Sequence, residues 1–260
     1  MSKIALQMYT CREHMKTAAD FEETLKKVAE IGYEYVQISR PAFFEMDEMA
    51  KLLGKYDLQA DSVFCPTGKI LNNIEQLEKD ADILGTDVVR TDSIPVALRT
   101  SREGYHEFAH RMDQEGQALK KAGLRYIYHF HAFEFVSFGN IRGIDILLHE
   151  TDPEAVMFQP DVFWLTSAGT EPSVSLRMFK GRAFYMHVKD YAIRQLEGAI
   201  ENVPFYFAPV GTGNLNWNGI LQAANEIGIQ RFVVEQDQVD GDVFEAIRTS
   251  YKNLQKMGIR

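Results

Sequence analysis

The segment Tyr126–His131 reads Tyr-Ile-Tyr-His-Phe-His, an apolar run of strand length, and Glu134 follows it almost at once. Three later runs have the same form: Met-Phe-Gln-Pro ends at Asp161, Ala-Phe-Tyr-Met at His187, and Phe-Val-Val at Glu235. In a barrel of parallel strands the carboxyl ends of all strands meet on one face, where such folds carry their chemistry. Two Glu, one Asp and one His converging there predict a site for a divalent cation such as Mn²⁺, Mg²⁺, Co²⁺ or Zn²⁺.

Strand and helix patterns alternate along the whole chain. A long helical pattern runs from about residue 103 to 122 and is closed by Gly123. The strand patterns fall at 4–8, 35–38, 59–64, 88–90, 126–131, 155–158, 184–188 and 232–234. Without a Pro/Gly/Ser-rich linker between them, they predict an α/β fold, a single (β/α)₈ TIM barrel over residues 1–260. A doubly wound open sheet is the alternative, but no glycine-rich phosphate loop follows the first strand.

The amino-acid composition of the chain disfavours some classes of binding partner. The chain has 260 residues, 45% hydrophobic and 25% charged, which suits a sizeable core. A net charge of -9 disfavours nucleic acid and anionic lipid, and no apolar run is long enough to cross a bilayer. Two cysteines, Cys11 and Cys65, are too few for a disulfide framework, so a cytoplasmic location is expected. We expect a small-molecule substrate, with no nucleic acid and no membrane partner, and leave a homo-oligomer open.

Two histidines near the end of the fifth strand form a candidate proton-transfer set. His129 and His131 occupy alternate positions, so both can point into the barrel mouth. Imidazole titrates near neutrality and suits acid–base work beside Glu134, although two packed, hydrogen-bonded histidines are the simpler interpretation. Glu134 can turn back to ligate a metal, and His129 can equally take that coordination position.

Three further residues are candidates for the site. Lys189 can neutralise an enolate or hold a substrate oxygen, or it can simply pair with Asp190 or Asp161. The glycine-rich turn around Gly211 precedes a helix and can accept a phosphate or hydroxyl at the helix N-terminus. Trp164 is a candidate apolar wall for a sugar ring, although such residues more often belong to the core.

Five motifs, spread over nearly the whole chain, together resemble the xylose isomerase-like superfamily of sugar phosphate isomerases and epimerases. They are Tyr128–Phe135 (YHFHAFEF), Asp161–Trp164 (DVFW), His187–Asp190 (HVKD), Pro209–Gly213 (PVGTG) and Glu235–Asp237 (EQD). The resemblance implies a divalent metal and a polyol or keto-sugar bound through adjacent hydroxyl and carbonyl oxygens. The implied metal ligands are Glu134, Asp161, His187 and Glu235.

Two positions depart from the superfamily pattern. Phe130 replaces the usual asparagine, and His129 stands where the ketose epimerases carry a proton-transferring glutamate. A mechanism that uses two glutamates therefore does not transfer directly to this chain. The superfamily also includes inosose dehydratases and enzymes acting on 3-keto-glycosides, and a histidine base suits their eliminations as well.

The predicted function is a metal-dependent sugar, sugar phosphate or keto-polyol isomerase or epimerase. The metal would polarise a carbonyl and stabilise an enediolate, while Glu235 or His129 takes the proton and His131 or Lys189 supports the oxyanion. An inosose-type dehydratase or keto-glycoside lyase is the alternative. An apurinic-site endonuclease shares the barrel, but 28 Lys+Arg against 37 Asp+Glu do not supply a DNA-facing surface. A non-catalytic metal-binding or sensor barrel is a third class.

Overall fold

The computed structural model describes residues 3–38, 43–194 and 205–260. The strands are β1 (Ile4–Gln7), β2 (Tyr35–Gln37), β3 (Gln59–Ala60), β4 (Val63–Phe64), β5 (Val88–Asp92), β6 (Arg125–His129), β7 (Ser137–Phe138), β8 (Ile141–Arg142), β9 (Val156–Gln159), β10 (Tyr185–Val188), β11 (Asp190–Ile193), β12 (Phe205–Ala208) and β13 (Arg231–Val234). The helices are α1 (Ala18–Ile31), α2 (Met46–Lys55), α3 (Ile74–Leu84), α4 (Arg102–Lys121), α5 (Gly143–Glu150), α6 (Val162–Ser167), α7 (Pro172–Ser175), α8 (Trp217–Ile227) and α9 (Val243–Lys256).

The parallel strands form the predicted barrel. One sheet has the order β10-β13-β1-β2-β3 and the other β4-β5-β6-β9, and every pairing in both is parallel. The third barrel strand is interrupted at residues 61–62, so that β3 belongs to one sheet and β4 to the other. The prediction of an α/β TIM barrel is therefore confirmed, with a break in its third strand that the sequence pattern did not indicate.

The seam between β9 and β10 runs through the predicted site. Asp161 and His187 form a parallel bridge there, and the His187 N–H donates to the Pro160 carbonyl at 2.7 Å. Asp161 also begins α6, because its Oδ1 accepts hydrogen bonds from the backbone N–H groups of Phe163 (2.9 Å) and Trp164 (3.2 Å). The backbone at Asp161 thus joins the two sheets, while its carboxylate caps α6 with one oxygen and keeps the other for the barrel mouth.

The long helix predicted at about residues 103 to 122 is α4, and the barrel helices have local caps. Thr17 caps α1 and Ser101 caps α4, each accepting a hydrogen bond from a backbone N–H three residues later. The α1 helix ends at Gly32, whose φ of 116° is a conformation that favours glycine. In the described part of the chain, no helix is both long and apolar enough to cross a membrane.

An antiparallel hairpin, β11 paired with β12, follows the seventh barrel strand and was not predicted. Its base is fixed by Asp190, a fully buried carboxylate. Asp190 Oδ2 accepts hydrogen bonds from the N–H groups of Gly211 (2.9 Å) and Gly213 (3.0 Å) and from Trp217 Nε1 (2.7 Å). A Cβ on Gly213 would lie 2.3 Å from Asp190 Oδ1, so this turn requires glycine. The buried charge is balanced by three donors, as a buried carboxylate requires.

Glu115 on α4 makes protein stability depend on pH. It is 1% exposed, its Oε2 has no hydrogen-bond partner, and burial raises its pKa to about 7. Between pH 5 and 7 the folded state binds a proton that the unfolded state has lost, so stability falls as pH rises through that window. We expect Glu115→Gln to reduce this fall by about 1 kcal/mol or more, measured by thermal unfolding at pH 5 and pH 8. Glu103→Gln, an exposed change on the same helix, is the control; equal pH dependence in both variants would contradict the assignment.

Candidate metal centre and its cavity

Four buried side chains meet at the mouth of the barrel: His129 at the end of β6, Asp161 after β9, His187 on β10 and Glu235 after β13. Each offers one ligand atom, and these atoms all lie within 4.8 Å of one another. His187 Nδ1 lies 3.1 Å from His129 Nε2 and 2.9 Å from Glu235 Oε2. Asp161 Oδ2 lies 3.5 Å from His129 Nε2 and 3.6 Å from His187 Nδ1. Two imidazole nitrogens and two carboxylate oxygens at these spacings match the donor set of a transition-metal site.

The donor atoms have the free capacity that a cation requires. Asp161 Oδ2 and Glu235 Oε2 are buried and accept no hydrogen bond of good geometry. His187 Nε2 lies 2.9 Å from Gln37 Oε1, an oxygen that can only accept, so Nε2 carries a hydrogen, and Nδ1, which faces Glu235, is the nitrogen that the neutral imidazole offers to a cation. Orientation of one imidazole nitrogen by an acceptor is how proteins prepare the other nitrogen to bind metal. The residues therefore fit a divalent ion.

A layer of glutamine amides below the cluster supports His187. Gln7 Nε2 donates to Gln37 Oε1 at 3.2 Å, and Gln37 Nε2 donates to Gln159 Oε1 at 3.3 Å. These residues are at most 4% exposed and come from β1, β2 and β9. Sequence reasoning missed them, although each stands at the last position of an apolar strand, where a glutamine needs a reason to be buried.

Lys189 places an ammonium group beside the cluster. Its Nζ lies 3.1 Å from Asp161 Oδ2, 2.9 Å from Glu235 Oε2 and 2.9 Å from Asp237 Oδ2. The predicted pairing of Lys189 with Asp161 is therefore present, and its position in the cavity wall leaves the role toward a substrate oxygen as a prediction. Asp237 was not predicted as a site residue, although the Glu-Gln-Asp motif contains it.

The surrounding charges fix the protonation states at neutral pH. Burial would raise the pKa of Asp161 and Glu235, but Lys189 and the nearby imidazoles outweigh it and hold both pKa values well below the usual range. Burial lowers the pKa of His129 to about 4, helped by the charge of His187. For His187, burial is outweighed by Glu235 and Asp161, and its pKa is raised. At neutral pH the cluster therefore contains two ionised carboxylates, Asp161 and Glu235, and a neutral imidazole, His129.

The structure uses Glu134 differently from the ligand role that the resemblance implied. Glu134 is fully buried; Oε1 accepts a short hydrogen bond from the Tyr128 hydroxyl, and Oε2 accepts one from the His131 N–H at 2.8 Å. Burial raises the pKa of Glu134 to about 7. The Glu134 side chain stabilises the turn after β6 through these two hydrogen bonds. His129, the last residue of β6, points into the cluster instead. Of the two alternatives for the fourth ligand, the geometry brings His129 to the cluster and keeps Glu134 out of it.

A cavity of about 570 Å³ opens in front of the cluster. His131, Trp164 and Lys189 line it together with His129 and Glu235. The complete lining is Gln7, Tyr9, Arg12, Arg90, Asp92, His129, His131, Trp164, Lys189, Phe207, Glu235, Asp237 and Gln238. Its size suits a small organic ligand.

His131 and Trp164 form part of the cavity wall. Their ring centroids lie 5.1 Å apart, and His131 also stacks on Phe133 at 5.1 Å. Burial, reinforced by the neighbouring His129 imidazole, lowers the pKa of His131 to about 3, so the ring is neutral at pH 7. Trp164 Nε1 is buried without a hydrogen-bond partner. A neutral imidazole and an indole N–H without an acceptor give this wall both an apolar face and polar atoms.

Gly211 does not line this cavity in the described structure. The Gly211 N–H donates a hydrogen bond to Asp190 Oδ2. Its φ of 80° places Gly211 in a left-handed turn that precedes α8. The glycine-rich turn therefore holds the hairpin base, and its donors serve a carboxylate of the protein itself. The prediction that this turn binds a substrate phosphate or hydroxyl has no support in this geometry, because the Gly211 N–H is bonded to Asp190 of the protein itself.

Parallel barrel topology and a four-residue donor cluster at the carboxyl ends of the strands define a class of metal-site barrels. The sequence model of the xylose isomerase-like TIM barrel family matches residues 25–256, and the chain belongs to that family.

Individual relatives share the fold at low sequence identity. A sugar phosphate isomerase/epimerase from Parabacteroides distasonis superimposes with a TM-score of 0.78 at 22% identity, covering 98% of this chain and 93% of its own. A xylose isomerase-like barrel from Mycobacterium smegmatis, in complex with magnesium, gives 0.70 at 16% identity, covering 96% and 95%. An inosose dehydratase from Lacticaseibacillus casei is 24% identical over 161 residues, which is 58% of this chain. The match spans about half, 53%, of that curated relative.

Proposed function

We propose that the protein is a divalent-metal-dependent isomerase or epimerase of a sugar or keto-polyol, with His129, Asp161, His187 and Glu235 as metal ligands. The observation that carries this proposal is the buried group of two imidazoles and two carboxylates facing the cavity. The family supports it, since sugar isomerases and epimerases are among the similar structures. Mixed nitrogen and oxygen donors favour Mn²⁺, Co²⁺ or Zn²⁺ over Mg²⁺, which prefers oxygen.

When bound, the cation would polarise the substrate carbonyl and stabilise the negative charge of an enediolate. Glu235 takes the proton from the carbon next to the carbonyl, because it is ionised at neutral pH and its carboxylate reaches the cavity. Lys189 places its positive charge next to the oxygen on which negative charge develops, and Asp237 keeps its ammonium in place at 2.9 Å. His131, neutral and in the cavity wall, is positioned to hold a substrate hydroxyl.

A dehydratase acting on a cyclic keto-polyol is the second candidate, and the inosose dehydratase relative favours it. The first step is the same, since Glu235 removes a proton next to a carbonyl. The two reactions then diverge. In an isomerase or epimerase a proton returns to carbon or oxygen of the enediolate. In a dehydratase the C–O bond on the adjacent carbon breaks, and the departing hydroxyl takes up the proton removed by Glu235 and leaves as water.

Proton exchange in D₂O tests the proposal and separates the two reactions. Protein loaded with Mn²⁺, Co²⁺ or Zn²⁺ is incubated with ketoses and with inosose, and the products are followed by NMR. Deuterium at the carbon beside the carbonyl, with sugar product, supports an isomerase or epimerase; an unsaturated ketone and released water indicate the dehydratase. Chelator-treated protein is the control and should be inactive until metal is returned. Full activity without metal would contradict the proposal.

A further inference from the structure

A second polar site lies in the same cavity, on the strand next to the metal cluster. Arg90 and Asp92 alternate on β5, and Asp92 is the register partner of His129 on β6. Both line the cavity. Strand neighbours in register point the same way, so Asp92 stands beside His129 at the barrel mouth. Neither residue has a role in the proton transfer described above.

Arg90 is a buried cation with donor capacity to spare. Its side chain is 2% exposed, and Nε and Nη2 have no hydrogen-bond partner. The guanidinium packs over the Phe64 ring, 4.9 Å from its centroid, and buried Asp61 interacts with it electrostatically. Nη1 lies 3.7 Å from Asp92 Oδ2, beyond hydrogen-bond distance. The gap between Nη1 and Asp92 Oδ2 can be bridged by an oxygen atom that hydrogen-bonds to both.

Asp92 is the accessible half of this pair. Its side chain is 40% exposed, and its backbone carbonyl accepts a short hydrogen bond from the Thr67 hydroxyl, which fixes the end of the strand. Ser93 follows with a φ of 61°, a conformation that residues other than glycine rarely adopt, and turns the chain away from the cavity. The Asp92 carboxylate is thus held at the mouth next to the Nη1 donor of Arg90.

We infer that Arg90 and Asp92 clamp a hydroxyl group of a neutral, unphosphorylated polyol substrate. A hydroxyl both accepts and donates, so it can take a hydrogen bond from Arg90 Nη1 and give one to Asp92. A phosphate only accepts at neutral pH, and Asp92 would repel it. The inference rests on the proposed function, because it concerns the part of the substrate away from the metal.

The other cations of the cavity wall leave no place for a phosphate either. Lys189 is surrounded by three carboxylates. Arg12 directs Nη1 to the Tyr9 carbonyl at 3.0 Å and Nη2 to the Asp237 carbonyl at 2.6 Å. Lys189 and Arg12 are therefore already occupied by carboxylate or carbonyl oxygens of the protein. A neutral polyol, which needs paired donors and acceptors, matches such a wall better than a dianion does.

Calorimetric titration of metal-loaded protein with D-fructose, inosose and D-fructose 6-phosphate tests this inference. We expect a neutral probe to bind at least about tenfold more tightly than the phosphate ester. Arg90→Lys should weaken the neutral probes about tenfold, the scale for losing a hydrogen bond to a charged group. Asp92→Asn should reduce the preference for the neutral probes severalfold, because it removes the repelling charge. Asp87→Asn, at the opposite end of the same strand where Asp87 pairs with Arg125, is the matched control.

Metal content, measured first on every variant, distinguishes failure of the proposed function from failure of the hydroxyl clamp. Wild-type protein that holds no metal would remove the proposed function. Protein that holds metal yet binds the phosphate ester more tightly, or binds no neutral probe, would overturn the hydroxyl clamp and leave the metal site standing. An unchanged preference in Asp92→Asn would also overturn it, and this exposed substitution is not expected to disturb folding.

Discussion

Asp161→Asn is expected to lower the affinity for a divalent metal by about a hundredfold or more, while the protein stays folded. Asparagine keeps an oxygen that can cap α6, because it is as good an N-cap as aspartate, but it removes the negative charge from the cluster. Changes in residues that merely support a metal site already cost ten- to a hundredfold, so the loss of a ligand charge should reach at least that range. Elemental analysis and titration with Mn²⁺, Co²⁺ and Zn²⁺ measure the effect, and circular dichroism checks the fold.

The same titration decides between His129 and Glu134. His129→Asn should weaken metal binding, with partial rescue by excess metal. Glu134→Gln should leave metal affinity near that of the wild type, because both oxygens of Glu134 are bonded within the protein. The reverse order, with Glu134→Gln losing metal and His129→Asn keeping it, would move the fourth ligand to Glu134.

Glu235→Gln is expected to reduce turnover by about a hundredfold or more, the usual scale for loss of a general base. Glutamine has nearly the same shape but cannot take a proton from carbon. It also removes one negative charge from the metal, so rates are compared at saturating metal. Deuterium incorporation from D₂O into the substrate should fall in parallel with turnover.

The same change on the protein surface serves as the control for this experiment. Glu103→Gln lies on the exposed side of α4, away from the cavity, and it should leave deuterium exchange within a few-fold of wild type. Glu235→Gln protein with bound metal and an undiminished exchange rate would exclude Glu235 as the base and favour His129, the other predicted base.

The barrel could be predicted from sequence because its rules are local. Each strand is a short apolar run, each helix has its own cap, and the carboxyl ends of parallel strands share one face. The same rule placed Asp161, His187 and Glu235 together, since each directly ends or follows an apolar run. The choice between His129 and Glu134 was not local, because it depends on how the turn after β6 folds back onto Tyr128.

Long-range partners explain what the sequence could not provide. Gln37 orients His187 across 150 residues of chain, and the Arg90 guanidinium is recognisable as a cavity residue only when β5 is seen beside the barrel mouth. Gly211 was correctly placed in a turn, but the acceptor of its N–H group, Asp190, lies 21 residues earlier. In each case the sequence shows the chemical character of the residue, but its contact partner is distant in the chain and is determined by the tertiary structure.

The buried carboxylate of Asp190 has a consequence for how new specificities arise on this scaffold. It ties the first residue of the hairpin to the glycine turn and to Trp217 at the start of α8, so both ends of the excursion are anchored at one point. The chain between those anchors can change in length or composition while β10, with His187, keeps its position. Phe207 from this excursion lines the cavity. The hairpin can therefore be exchanged, in evolution or by protein engineering, to reshape the cavity wall without moving the four-residue cluster.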